Sequence, residues 1–144
     1  MENKKWLKAY FNQPLQTKKE MYEFIANYGE NDQLSHENIN RALRERELAS
    51  NLQIAPHVVL PHFESLALTE SSVLIIHLQE EISCWDQTAA DIKLVIAILL
   101  KTNESLEIKK EIALFTRSLA DETFIQNLLC AEKEAIFMDY LKKI

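Results

Sequence analysis

Residues 44 to 62 read RERELASNLQIAPHVVLPH, and the meaning of the stretch turns on its last six residues. Val58, Val59 and Leu60 form a short apolar run, Pro61 removes a backbone donor, and His62 follows. The pattern predicts a buried strand at His57 to Leu60 that ends at Pro61 and leaves His62 at its C-terminal edge. In an open α/β sheet such edges are where ligands bind, which makes His62 the candidate reactive group.

Upstream, Ile39, Ala42 and Leu43 recur at helical spacing behind Ser35, a good N-cap, so a helix is predicted from there to about Leu48. Arg46 follows Leu43 by three positions and Ile39 by seven, which turns it toward the face those residues bury. An inward-leaning arginine needs an anionic partner. Spacing alone favours a structural ion pair or a stem that snorkels to water over an anion site. Glu47 reads as a helix-end residue or as one that supports the site from behind Arg46, without a catalytic role, and Ser50 to Pro56 has no regular period and reads as a loop. Before the GENDQ turn, Thr17 and Glu20 have the spacing of a capping box, and Met21, Phe24, Ile25 and Tyr28 continue a helix that Gly29 closes. Residues 1 to 16, with Trp6, Leu7, Tyr10 and Phe11 ahead of Pro14, fit either a short helix or an edge strand.

Downstream, the runs VLIIHLQ at 73–79 and IKLVIAILL at 92–100 show little alternation, as expected of strands covered on both faces, with EISCWDQ between them a short strand or bend. Then Ile108, Ile112, Phe115 and Leu119 mark a helix, Asp121 caps a second carrying Phe124, Ile125 and Leu128, and Ile136, Phe137, Tyr140 and Leu141 mark a last one. The expected fold is a single α/β domain over 1–144, a central mixed sheet of about four to five strands flanked by helices on both sides.

Composition narrows the function. A chain of 144 residues with 47% hydrophobic and 26% charged residues has the balance of one globular domain. The net charge of −6 with scattered basic residues argues against nucleic-acid binding. One glycine in the whole chain excludes Walker and dinucleotide phosphate loops, which need several. The segment MENKKWLKAYF has no signal-peptide core and no apolar run is long enough to cross a bilayer, so a cytoplasmic location without membrane insertion is expected.

Cys84 and Cys130 lack metal-site spacing and read as buried reduced thiols. The four histidines make no metal constellation, and no cofactor is implied. His77, inside an apolar strand, is expected to be a hydrogen-bonded structural imidazole; His57 is either a strand-edge surface residue or a neighbour of His62, with position alone favouring the surface, and His36 is expected to be exposed. Trp85 and Asp86 read as core packing. No Gly-x-Ser-x-Gly elbow supports a hydrolase.

Taken together, the helix ending in Arg46-Glu47 and the apolar strand ending in Pro61-His62 resemble the enzyme IIA domain of the mannitol/fructose class in the bacterial sugar phosphotransferase system. VLIIHLQEEISCWD resembles the family's strand, turn and tryptophan-bearing segment, DIKLVIAILL its next core strand, and ALFTRSLADETFIQNLLCA its Leu-Ala-Asp helix junction. The resemblance runs in order over roughly residues 17 to 143. It implies that His62 is a phosphoryl acceptor, taking the group from the phosphocarrier protein HPr and passing it to a IIB domain. It implies further that Arg46 neutralises the group in transfer, which promotes the anion site over the structural ion pair.

The chain departs from the family twice. Ile108 stands near the position of a second active-site histidine, and the family's Ser-Thr-Gly-rich loop becomes LASNLQIAPH, without glycine but with Ser50 and Asn51. Retention of Arg46 and His62 favours a phosphohistidine carrier. The loss of the second histidine favours the alternative, a degenerate IIA-like regulatory or protein-binding domain that engages another protein partner under control of His62 phosphorylation or without transfer.

Overall fold

The two apolar runs become the long central strands of one mixed sheet in the computed structural model, which describes residues 4–143. In chain order the elements are β1 (Leu7–Gln13), α1 (Lys18–Gly29), α2 (His36–Ala49), β2 (Gln53–Ala55), β3 (Val58–Val59), β4 (His62–Ser65), β5 (Ser72–Cys84), β6 (Ala90–Lys101), α3 (Leu106–Ser118), α4 (Glu122–Cys130) and α5 (Glu134–Lys142). The open segment at the start is thus an edge strand, parallel to β5. EISCWDQ continues β5 as far as Cys84 before the turn to antiparallel β6.

Alternation along β5 and β6 feeds two cores. Leu74, Ile76, Val95, Ala97 and Leu99 pack with Met21, Ile25, Ile39 and Leu43 of α1 and α2. Val73, Ile75, Leu94 and Ile96 pack with Ile112, Phe115, Leu128 and Phe137 of α3, α4 and α5. Because successive side chains of a strand point to opposite faces, a strand buried on both shows an unbroken apolar run. The expected helix-covered sheet is present, one strand larger, with six strands in the order β1-β5-β6-β3-β2 and β4 also paired with β6.

The extra strand comes from the segment read as a loop. Gln53–Ala55 forms β2, antiparallel to β3, and Leu60 N–H donates to Leu52 O at 2.8 Å. A strand of three residues is too short to show a period, so its partner rather than its pattern makes it.

Two other local expectations change. Thr17 Oγ1 accepts from Glu20 N–H at 3.0 Å, but the reciprocal bond of Glu20 goes to Gln16 N–H at 2.7 Å rather than to Thr17. Gly29 is the last residue of α1 and has no positive φ, so it does not end the helix by a left-handed turn. A Cβ there would lie 3.0 Å from Leu99 Cδ2 and 3.3 Å from Ile39 Cδ1, so those side chains would have to give by a few tenths of an ångström. Cys84 and Cys130 are free and exposed, not buried, because both stand at element ends beyond the covered stretch.

Candidate active site

His62 begins a strand instead of ending one. Val58 pairs with Leu94 and His62 with Ile98, both parallel, so the register along β6 carries through Pro61 without a slip. Pro61 lacks a donor, but its carbonyl still accepts from Ile98 N–H at 3.0 Å, so one ladder bond is lost and the strand resumes as β4. Ile98, the partner of His62, packs with the second core, so the His62 side chain leaves β4 on the α3–α5 side of the sheet. α2 lies against β4, and from it Arg46 reaches His62.

The two ring nitrogens have different partners. Arg46 Nε–H donates to His62 Nε2 at 2.8 Å, and His62 Nδ1 lies 2.9 Å from Leu60 O. A guanidinium only donates, so Nε2 presents its lone pair and the proton sits on Nδ1, donated to Leu60 O. The ring is a neutral tautomer with its nucleophilic nitrogen aimed at a cation. Arg46 itself is exposed, not turned inward, and its partner is an imidazole, not an anion. A guanidinium has five donors, and the remaining ones of Arg46 make no other hydrogen bond among the described residues. They are available to the oxygens of a phosphoryl group at Nε2.

Glu47 turns the other way. Lys18 Nζ approaches its Oε1 at 2.6 Å, and Tyr22 O–H donates to its Oε2 at 2.6 Å. Lys18 also lies 3.7 Å from Asp86 Oδ2 at the β5–β6 turn. Burial works to raise the Asp86 carboxyl, but hydrogen bonds from Thr88 and Ala89 and the Lys18 charge hold it below the ordinary value. Burial, together with the bond to Glu47, pushes the Tyr22 phenol up. Trp85 is buried, as expected, edge-on to Tyr22 at 5.9 Å. Sequence alone marks Glu47, Trp85 and Asp86 but not their partners Lys18 and Tyr22, although those two stand one helical turn apart and share a face.

The other histidines stay apart. His57 is half-buried at the edge of the sheet, with Nδ1 2.7 Å from Asp91 O and 3.3 Å from Glu81 Oε2. It precedes Val58, which pairs with Leu94, so along the strand it lies roughly 16 Å from His62. Its φ of 71° is the left-handed conformation that a glycine would adopt more readily, and the glycine-poor loop uses a histidine instead. His77 accepts from Asn12 N–H at 3.4 Å, a weak bond, while its buried Nε2 makes no hydrogen bond of acceptable geometry among the described residues. The expected satisfied imidazole is therefore only half satisfied.

Ile108 lies in the first turn of α3, half-buried against the second core, where its N–H donates to the capping Ser105 Oγ at 3.3 Å. It is on the same sheet face as His62 and offers no hydrogen bond from its side chain. Lys109 Nζ is bound to Thr102 O at 3.1 Å. In the loop, Asn51 Oδ1 accepts from Gln53 N–H at 2.9 Å, a local turn. No group of three or more His, Cys, Asp or Glu among the described residues is arranged to hold a metal ion. No helix among them is long and apolar enough to cross a membrane.

Solved structures similar to this one include IIA proteins. The nitrogen regulatory protein IIA-Ntr from Neisseria meningitidis aligns with a TM-score of 0.74 at 15% identity, covering 94% of this chain and 96% of that one. IIA mannitol from Escherichia coli aligns at 0.63 and 18% identity, over 92% of this chain and 94% of that one. The Escherichia coli IIA mannitol protein in complex with phosphorylated enzyme IIB mannitol gives 0.65 and 18%, over 94% of each. At such identities the likeness establishes the fold. The family profile for the phosphoenolpyruvate-dependent sugar phosphotransferase system, EIIA 2, matches residues 7–144, and the chain belongs to that family. No curated protein matches it.

Proposed function

We propose that this chain is a phosphohistidine carrier in which His62 Nε2 takes a phosphoryl group from HPr and passes it to a IIB domain, in the cytoplasm. The observation that carries the reading is the division of labour on the ring: Nδ1 is held by Leu60 O and Nε2 is left as a lone pair beside Arg46. In transfer, the Nε2 lone pair forms a bond to phosphorus while the bond from phosphorus to the donor nitrogen breaks, its electron pair returning to the HPr imidazole. Arg46 gives up its bond to Nε2 and turns its N–H groups to the phosphoryl oxygens. Leu60 O continues to hold the Nδ1 proton, which stabilises the positive character the ring acquires. Discharge to IIB reverses these steps on a new acceptor. The complex described between a IIA mannitol protein and phosphorylated IIB supports that choice of partner.

Ile108 favours a second reading, a regulatory domain in which the phosphorylated state of His62 changes an interface with another protein. Incubation with enzyme I, HPr and phosphoenolpyruvate, followed by intact-mass and acid-lability analysis, tests the acceptor. The expected result is an acid-labile adduct that His62→Ala lacks while staying folded; equal labelling of His62→Ala would overturn the assignment. Prompt discharge to IIB then marks a carrier, and retention of the adduct marks the regulatory form.

A further inference from the structure

The last turn of α2 has little to hold it in place. Arg46, Leu48 and Ala49 are exposed, and Ser50 follows in an extended conformation with no glycine to close the helix. Leu48 is 86% exposed. Terminal turns of this kind fray, because their last carbonyls lack partners and few contacts oppose opening. Glu47 alone in that turn points into the protein, with its side chain 17% exposed.

Both of its carboxylate oxygens are engaged. Lys18 and Tyr22, from the first turns of α1, hold Oε1 and Oε2 at 2.6 Å each. These partners are themselves anchored: Tyr22 is buried against Trp85, and Lys18 bridges toward Asp86, whose carboxylate takes the amides of Thr88 and Ala89. The clasp thus ties the end of α2 to α1 and to the β5–β6 turn. Arg46 is the next residue along the backbone.

We propose that Glu47 is a positioning residue for the phosphoryl site, its clasp with Lys18 and Tyr22 fixing the last turn of α2 so that Arg46 meets His62 Nε2. A long arginine stem on a frayed turn would sample many rotamers, and the transferring group would meet the guanidinium only part of the time. The kinetic consequence rests on the phosphocarrier reading; the structural one does not.

The test separates the two. In nitrogen-15 spectra, the Arg46 Nε–H bonded to His62 gives a cross-peak protected from solvent exchange, absent in His62→Ala. Glu47→Ala is expected to lose that protection and to take up phosphate from HPr about tenfold more slowly, against about hundredfold for Arg46→Ala. Adding Glu47→Ala to Arg46→Ala should slow transfer little further, because both act through one guanidinium. Glu47→Gln, which keeps an acceptor for Tyr22, should recover part of the rate and protection, and Tyr22→Phe gives a milder probe should Glu47→Ala fold poorly. A protected Arg46 Nε–H in Glu47→Ala would overturn the proposal, as would a full tenfold loss in the Arg46→Ala background. Failure of the wild-type protein to be phosphorylated would overturn the carrier reading, and the Arg46 signal would still decide the role of Glu47.

Discussion

His77 supplies a sharp pH prediction. The residue is 3% exposed, its ring stacked on Phe11 with centroids 4.4 Å apart and edge-on to Phe137 at 5.4 Å. Burial first, and the nearby Lys93 charge second, lower its pKa from 6.5 to about 4, while the backbone of Leu129 acts in the opposite direction. The folded protein therefore keeps the ring neutral where the unfolded chain protonates it. Between pH 6.5 and about 4 the unfolded state binds more protons, so the stability conferred by neutral His77 is full above 6.5 and falls as pH drops toward 4. The whole interval converts to ~3 kcal/mol. A cleft of about 430 Å³ lined by His77, Lys93, Cys130 and Glu132 admits water that screens part of it, leaving ~2 kcal/mol. Urea unfolding of wild type and His77→Phe from neutral pH to about pH 4.5 isolates this contribution, because other titrating groups contribute to both proteins. The expected result is a stability difference that shifts in favour of His77→Phe by ~2 kcal/mol on acidification. A difference independent of pH, or an ordinary His77 midpoint in a direct titration, would refute the reasoning.

Three further outcomes are expected. Arg46→Lys should recover little of the transfer lost in Arg46→Ala, because an ammonium lacks the planar fork that bonds a phosphoryl group while the stem spans from α2, and initial rates of uptake from HPr check this. Ile108→His should speed transfer by about tenfold by adding a donor on the face that bears His62, at a small cost in the second core; unchanged rates would show that this position does not reach the phosphoryl group. Gly29→Ala should lower stability by about 1 kcal/mol in urea titrations, because Leu99 and Ile39 are too buried to yield to a Cβ at 3.0 and 3.3 Å; a gain in stability would show that helix propensity outweighs the crowding.

The sheet and its helices were legible because burial on both faces leaves a mark in composition. Ile75 and Ile76 go to different cores, yet both are needed, so the run at 73–79 could hardly be anything else. Ser35 and Asp121 likewise announce their helices by accepting amides from Asn38 and from Thr123 and Phe124. Pairing was not legible in the same way. β2 exists because the edge of β3 is there to receive it, with Leu60 N–H donating to Leu52 O, and Pro61 interrupts rather than ends a strand because β6 continues alongside. For the site, the sequence placed Arg46 and His62 together through resemblance, while helical spacing alone turned Arg46 inward. The spacing argument failed because Arg46 lies in the last exposed turn, where the side chain is drawn to a neighbouring strand and not to the helix's own core.

The resting pair also sets the order of events in the proposed reaction. With Arg46 Nε–H on the Nε2 lone pair, the nucleophile is occupied by the very cation that would stabilise the product. A neutral imidazole offers that donor one lone pair, whereas a phosphoryl group offers several charged oxygens, so an arriving phosphoryl group outcompetes the ring for the guanidinium. Release of Nε2 and capture of the oxygens are then one rotation of one side chain. In that reaction the arrangement would shield the histidine until an anionic donor arrives, with no second imidazole required. On the proposed reading Ile108 would bear on how strongly the phosphoryl group is held, and Arg46 with the proposed Glu47 anchor on whether His62 is presented to it at all.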